Sequence, residues 1–328
     1  MRVLITGVAG HLGSKLARWL INENQDKVFG IDDLSSGYIE SVHPGVVFRK
    51  RSLGRDPMPD LGDIDYVFHF AAYAAEGLSP FIRHHNYVNN LVATADVVNF
   101  CIKNKVRRLV FTSSMAVYGE GNPPFSEISE CDPIDPYGNA KLACERDIQI
   151  AGVQHGLDWC IIRPHNIYGP GQDIWTPYRN VLGIWMAKAL QNLPLTVYGS
   201  GLQRRAFSYI DDILPCLYEA AASPHASKQI INLGGTDAVS INKVASVVST
   251  LTDTPIKYAE GRHEVLNAWC TTSKSRSILK YKESVPSISG ISAMWETAKM
   301  MWARFPQRRG SHKIDMEITE GLYSYWKD

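Results

Sequence analysis

Short, continuously apolar runs alternate with longer amphipathic stretches through the first half of this chain. Arg2-Val3-Leu4-Ile5-Thr6, Lys27-Val28-Phe29-Gly30-Ile31, Asp65-Tyr66-Val67-Phe68-His69, Arg108-Leu109-Val110-Phe111-Thr112 and Leu157-Asp158-Trp159-Cys160-Ile161-Ile162-Arg163 read as strands buried on both faces. Helical periodicity fills the gaps, from Ser14 to Asn22, from Tyr87 to Lys103 and in the helix that starts near Tyr137. This alternation predicts an α/β fold, a doubly wound parallel sheet with helices on both faces. After Pro164 the pattern becomes mixed, with helices expected near Val181 to Gln191, Ile241 to Thr252 and Ser292 to Arg304. The expected division is a first domain over 1–165, with a returning segment at about 205–234, and a smaller mixed α/β domain over 166–204 and 235–328.

The first strand runs into Gly7-Val8-Ala9-Gly10-His11-Leu12-Gly13 and then into a helix. Strand, glycine turn and helix make the Rossmann-like arrangement that holds a dinucleotide pyrophosphate. Gly7 permits the tight turn, Gly10 lets backbone approach the anion, and Gly13 lets the helix pack on the strand. The helix N-terminus then offers free N–H groups. The second strand ends in Asp32-Asp33, where a carboxylate accepts from both ribose hydroxyls and repels a 2′-phosphate. The expected cofactor is therefore NAD rather than NADP. The plainer alternative for Asp32 is a solvated turn aspartate.

Tyr137 and Lys141 lie four residues apart, hence one turn apart on one helix face. A nearby ammonium stabilises a phenolate, and Ser114, at the end of the 108–112 strand, can share a substrate hydroxyl proton. The trio Ser114, Tyr137 and Lys141 fits proton removal from a carbinol whose hydride leaves for a nicotinamide. Tyr-x-x-x-Lys by itself also describes a buried tyrosine packed along a lysine stem. The glycine turn is the context that favours chemistry.

Composition narrows the picture further. With 328 residues, 45% hydrophobic and 20% charged, the chain reads as an ordinary globular protein. A net charge of +1 gives no electrostatic case for nucleic acid or an anionic membrane surface. Six scattered cysteines without a C-x-x-C pair argue against zinc and a disulfide framework, so no metal is expected. His69 alternates with apolar neighbours and reads as a satisfied core histidine, and His84-His85 as surface. The strand at the very start, with no apolar run of transmembrane length, leads to the expectation of a cytoplasmic protein.

These motifs together resemble the extended short-chain dehydrogenase/reductase family, and within it the NAD-dependent nucleotide-sugar epimerases. The resemblance runs from about Arg2 to Leu279. It rests on Thr6 to Gly13, Asp32-Asp33-Leu34-Ser35-Ser36-Gly37, His69-x-Ala71-Ala72, Asn90, the Ser114 strand end and Tyr137-x-x-x-Lys141. Two later stretches complete it, Arg163-Pro164-His165-Asn166-Ile167-Tyr168-Gly169-Pro170 and Gln203-Arg204-Arg205-Ala206-Phe207. It implies NAD contacts at Gly7, Gly10, His11, Leu12, Gly13, Asp32, Asp33, Ala71, Asn90, Tyr137, Lys141 and Pro164. It implies nucleotide-sugar contacts at Ser114, Asn166, Tyr198, Arg205 and Arg262, the last also readable as a surface arginine. The implied reaction is C4 epimerisation of the UDP-glucose/UDP-galactose kind, through a 4-keto sugar. The implied assembly is a homodimer, paired through helices near Tyr87 to Lys103 and Tyr137 to Ala151. Three positions depart from the family pattern. Arg51-Ser52-Leu53 stands where an aspartate meets the adenine, Ala206 replaces an aspartate, and Glu76 brings a carboxylate towards the sugar, where it can bind hydroxyls and disfavour a carboxylated sugar. Met115 and Ala116 occupy the places where dehydratases and decarboxylases carry an extra acid. A nucleotide-sugar reductase or dehydratase of the same family, the dehydratase disfavoured by Met115 and Ala116, and a non-catalytic nucleotide-binding relative are the alternatives.

Overall fold

The computed structural model of the chain describes residues 1–178, 180–261, 264–286, 288–309, 314–323 and 326. Its centre is a sheet of seven parallel strands. Six are β1 (Arg2–Thr6), β2 (Lys27–Asp32), β3 (Val47–Lys50), β4 (Tyr66–His69), β5 (Arg108–Thr112) and β6 (Trp159–Pro164), and the seventh is the edge strand Gln229–Leu233. The spatial order is edge strand, β6, β5, β4, β1, β2, β3. The direction of winding reverses between β1 and β4, which opens a crevice beyond their carboxyl ends.

The continuous apolar character of these strands follows from burial on two sides. Val3 and Ile5 point to one face of the sheet and Leu4 to the other, the period of two that a pleated strand imposes. On the first face α1 (His11–Asn24) and α6 (Ile210–Ala222) cover β1 with Leu16, Leu20, Leu214 and Leu217. On the second, α3 (Ala93–Lys103) and α4 (Pro136–His155) bring Val97, Cys101, Cys144 and Ile148 against Leu4 and Leu109.

The expected helix from Tyr87 to Lys103 is broken. A five-residue helix, α2 (Arg83–Tyr87), leads through a π turn over Val88–Val92 into α3. A π turn inserts one residue into the helical ladder and changes which side chain faces which way.

A separate apolar cluster organises the later part of the chain. Trp185 from α5 (Val181–Leu190), Val244 and Val248 from α7 (Ile241–Thr252), and Met294 from the helix Ile291–Arg304 pack around Val197. Short strands flank it. Leu195–Tyr198 pairs with Ile256–Ala259, and Arg204–Arg205 lies between Val239–Ser240 and Asn267–Ala268. These pairs are too short to read from periodicity. Among the described residues no helix is long and apolar enough to cross a membrane, and no group of His, Cys, Asp and Glu is arranged to hold a metal.

Candidate active site

Two cavities meet at the carboxyl ends of the sheet. The first, of about 330 Å³, follows the crevice between β1 and β4. Its floor is the glycine turn. Gly7 has φ +73°, and a Cβ there would lie 2.7 Å from the Ala71 nitrogen; one at Gly13 would lie 2.1 Å from the Gly7 carbonyl oxygen. Only glycine allows α1 to start this close to β1 with its amide groups turned to the cavity. At the rim Asp32 is held by the amides of Ala9 (3.0 Å) and Leu34 (2.8 Å). Asp33 accepts from the Ser35 amide (2.8 Å) and from Ser52 Oγ (3.1 Å). Ser52 is thus turned to Asp33, while its neighbours Arg51 and Leu53 face the cavity.

Gly10, His11, Leu12, Asp32, Asp33, Ala71, Tyr137, Lys141 and Pro164 all line this cavity with Gly7 and Gly13. Asn90 does not. It is buried in the π turn, where its Nδ2 donates to Asn86 (2.9 Å), and its neighbour Asn89 faces the cavity instead. His11 spans the cleft, with Nε2 3.3 Å from the Pro170 carbonyl oxygen, and burial keeps it neutral by lowering its pKa to about 4.

The second cavity, of about 550 Å³, lies between the sheet ends and the later cluster. Glu76, Ser114, Asn166, Tyr198 and Arg205 line it. Arg262 lies outside the described residues. Glu76 opens the 3-10 turn Glu76–Phe81 and faces the cavity. Asn166 Nδ2 donates to the Ala206 carbonyl (2.8 Å). Arg205 donates to the carbonyls of Arg204 and Leu266 (both 3.0 Å) and of Val265, and pairs with Glu264 at 3.6 Å. Its guanidinium is therefore fixed in place at the cavity wall by backbone.

Tyr137 lines both cavities. The local sequence explains its position. Asp135 is the N-cap of α4, accepting from the amides of Tyr137 (2.8 Å) and Gly138 (2.9 Å), and Pro136 takes the first helical position. Ser79 Oγ accepts from the same Tyr137 amide at 3.1 Å. One turn on, Lys141 is buried, donates to the Thr112 carbonyl (2.8 Å), and carries its ammonium 5.9 Å from the Tyr137 ring centroid. Burial lowers its pKa to about 8, opposed by the neighbouring Cys144 and Glu145. Glu145 makes a two-pronged pair with Arg163 (2.9 and 2.6 Å) that ties α4 to β6.

On the opposite side Ser114 caps the turn Met115–Tyr118, its Oγ accepting from the Ala116 amide at 3.1 Å. Two further residues escaped the sequence reading. Ser113 lines both cavities, and its buried Oγ has no hydrogen-bond partner among the described residues. His165 sits in the wall of the second cavity, neutral because burial lowers its pKa to about 4; Nδ1 is 3.3 Å from the Gly235 oxygen and Nε2 is unpaired among the described residues. Each is the neighbour of a residue singled out by motif, which was the available signal. His69 is a core residue bridging Thr6 (2.7 Å) and Thr94 (3.0 Å). Tyr118, the phenol four residues after Ser114, is buried against Phe125 and donates to Asn232 (2.7 Å), which removes it from the chemistry.

A cleft floored by glycine and rimmed by a fixed carboxylate, joined through one phenol to a larger cavity, matches what comparison finds. Residues 3–234 match the model of the NAD dependent epimerase/dehydratase family. The chain belongs to that family. Its cofactor is NAD, and the glycine floor and Asp32 rim fit it. An uncharacterized UDP-glucose epimerase of Bacillus subtilis, YtcB, is 28% identical, over 89% of this chain and 96% of that protein. A UDP-N-acetyl-alpha-D-glucosaminuronate decarboxylase of Bacillus cytotoxicus is 30% identical, over 92% of this chain and 98% of that one. The crystal structure of a UDP-glucose 4-epimerase of Thermotoga maritima with UDP-glucose superposes with a TM-score of 0.84 at 25% identity, covering 92% of this chain and 99% of the other. The extended short-chain dehydrogenase/reductase resemblance and the parallel-sheet α/β fold are both borne out.

Proposed function

We propose that this protein epimerises C4 of a UDP-hexose of the gluco/galacto pair, the UDP-glucose/UDP-galactose type of reaction. The observation that carries this reading is the position of Tyr137 on the wall shared by the cofactor crevice and the second cavity. The glycine floor and the Asp32 rim would hold NAD, which when bound would supply the acceptor and then the donor of the carbinol carbon's hydride. Tyr137 takes the hydroxyl proton, and Ser114 Oγ, opposite, shares it during transfer. Lys141, cationic below its pKa of about 8, supports the phenolate and holds the cofactor ribose. Asp32 accepts from the adenosine ribose hydroxyls.

Arg205 and Asn166 anchor the diphosphate and Tyr198 stacks on the base, so the nucleotide stays fixed while the keto sugar turns its other face. Arg262 is proposed to join Arg205. Asn89 takes the cofactor contact that the motif ladder assigned to Asn90. Glu76, on the cavity wall, disfavours a carboxylated sugar by like-charge repulsion. Met115 and Ala116 supply no acid beside Ser114, which favours epimerisation over dehydration or decarboxylation.

The nucleotide-binding part is proposed to comprise 1–165 with the return over 205–234, and the sugar-binding part 166–204 and 235–328. The working assembly is proposed to be a cytoplasmic homodimer paired through α3, the π turn before it, and α4, where Val92, Ile150 and Val153 are exposed. The test is to incubate the purified protein with UDP-glucose or UDP-N-acetylglucosamine and no added reductant. Interconversion with the C4 epimer supports the proposal; a strict requirement for added NADPH identifies a reductase and overturns it.

A further inference from the structure

The loop that follows Asp32-Asp33 walls one side of the cofactor crevice, where Ser35, Ser36 and Gly37 line it. Its own backbone holds it lightly. Leu34 takes a left-handed conformation (φ +64°) that residues other than glycine seldom adopt. The Tyr38 amide reaches the Ala9 carbonyl at 3.4 Å, long for a hydrogen bond. A firmer hold comes from beyond the family match, which ends at residue 234. The helix Ile291–Arg304 runs into the short turn Pro306–Arg308, which brings Arg308 onto the loop. Its guanidinium carbon lies over two rings, 3.7 Å from the Tyr38 centroid and 3.9 Å from that of Phe305. Nη2 donates to the Glu40 carboxylate at 2.8 Å. Arg308 is 4% exposed, and a guanidinium taken out of water gains most from ring faces and a carboxylate. Tyr38 and Phe305 also pack on the apolar cluster around Val197. The loop over the crevice is thus fastened to the part of the molecule that walls the second cavity.

We propose that Arg308 is a clamp on the cofactor loop, pinning Leu34–Tyr38 over the Asp32 rim so that NAD is not exchanged during turnover. The inference rests on the reading that NAD takes up and then returns one hydride. A cofactor that left between the two transfers would leave the sugar oxidised, so slow release has a direct chemical use. Arg308 does not itself line the crevice. It acts through Tyr38 and Glu40 on the loop, which makes it a positioning residue. A planar, always charged side chain suits the place, because it meets a ring face and a carboxylate at once.

The experiment loads the full-length protein with radiolabelled NAD, dilutes it into excess unlabelled NAD and follows the retained label with time. No sugar is added, so the result is independent of which sugar the protein takes. Arg308→Ala is expected to release NAD roughly tenfold faster or more, the loss of a desolvated cation–π contact and a charged hydrogen bond. Arg308→Lys keeps the charge but not the planar face, and its release rate is expected to fall between the two. Tyr38→Leu removes the same contact from the loop side, is expected to match Arg308→Ala, and decides the matter if that variant does not fold. Arg309, the next residue, lies over Trp302 at 4.3 Å, so Arg309→Ala controls for a general loosening of this segment and is expected to release NAD at the wild-type rate. Wild-type release from Arg308→Ala, or from Tyr38→Leu should the former not fold, overturns the clamp. Release from Arg309→Ala as fast as from Arg308→Ala overturns it too. A wild type that takes up no NAD overturns the assignment of the crevice as well.

Discussion

The two cavities are built on different principles. The crevice over β1, β2 and β4 is floored by backbone and takes its shape from the glycine turn between β1 and α1. The second cavity is made of side chains drawn from widely separated segments, among them Glu76, Ser114, Arg205 and Trp326. Backbone sites announce themselves through glycine, because nothing else fits a Cβ-free approach of 2.1 Å. Side-chain sites carry no such mark, since any residue type can be brought to a wall by the fold.

The contrast is sharpest at the residue the cavities share. Tyr137→Phe is expected to lower turnover by about 10³-fold or more while NAD content and UDP affinity stay at wild-type level. Retained turnover in that variant would remove the mechanism. In the backbone-built half, Gly13→Ala forces a Cβ onto the Gly7 carbonyl. It is expected to cost about 3 kcal/mol of stability, read as a lowered melting temperature with loss of bound NAD.

In the side-chain-built half a single change should be milder. Arg205→Ala is expected to weaken UDP binding roughly tenfold, the loss of one charged hydrogen-bonding group, with NAD content unaffected. Loss of NAD in that variant would mean that the two halves are not separable.

The smallest effect per group concerns acid stability. His11, His69 and His165 are held neutral by burial, at about 4, 3 and 4 against 6.5 in the unfolded chain. Their folded pKa values are depressed, so the unfolded state binds more protons below 6.5. Stability is full above that pH and is lost progressively as pH falls from 6.5 towards 4. Each histidine is expected to cost roughly 1 kcal/mol by about pH 5.5. Melting temperatures followed from pH 7.5 to 5 check this, and a flat profile would contradict it.

How much was legible follows the same divide. The glycine turn, the Asp32 rim and the Tyr137–Lys141 pair were all readable, because each depends on spacing within one element or one turn. Asn90 is buried in the π turn, and its neighbour Asn89 lines the cavity. Helical periodicity gives no sign of a π turn such as the one at Val88–Val92. Ser52 departs from the family pattern, and its bond to Asp33 ties the loop after β3 to the loop after β2, a pairing visible only once the sheet is formed. Arg205 was named from its motif, yet its fixation by the carbonyls of Val265 and Leu266 depends on a strand pair two residues long.

The amino-acid sequence by itself determined the parallel sheet, the glycine turn and the one-turn spacing of Tyr137 and Lys141. Those follow from local sterics and from the burial period of single elements, which act over a few residues. Only the tertiary structure decided that one phenol borders both cavities and that Tyr323 and Trp326 line the second. Those facts depend on where distant segments come to rest, which packing of the whole chain settles and no local pattern encodes.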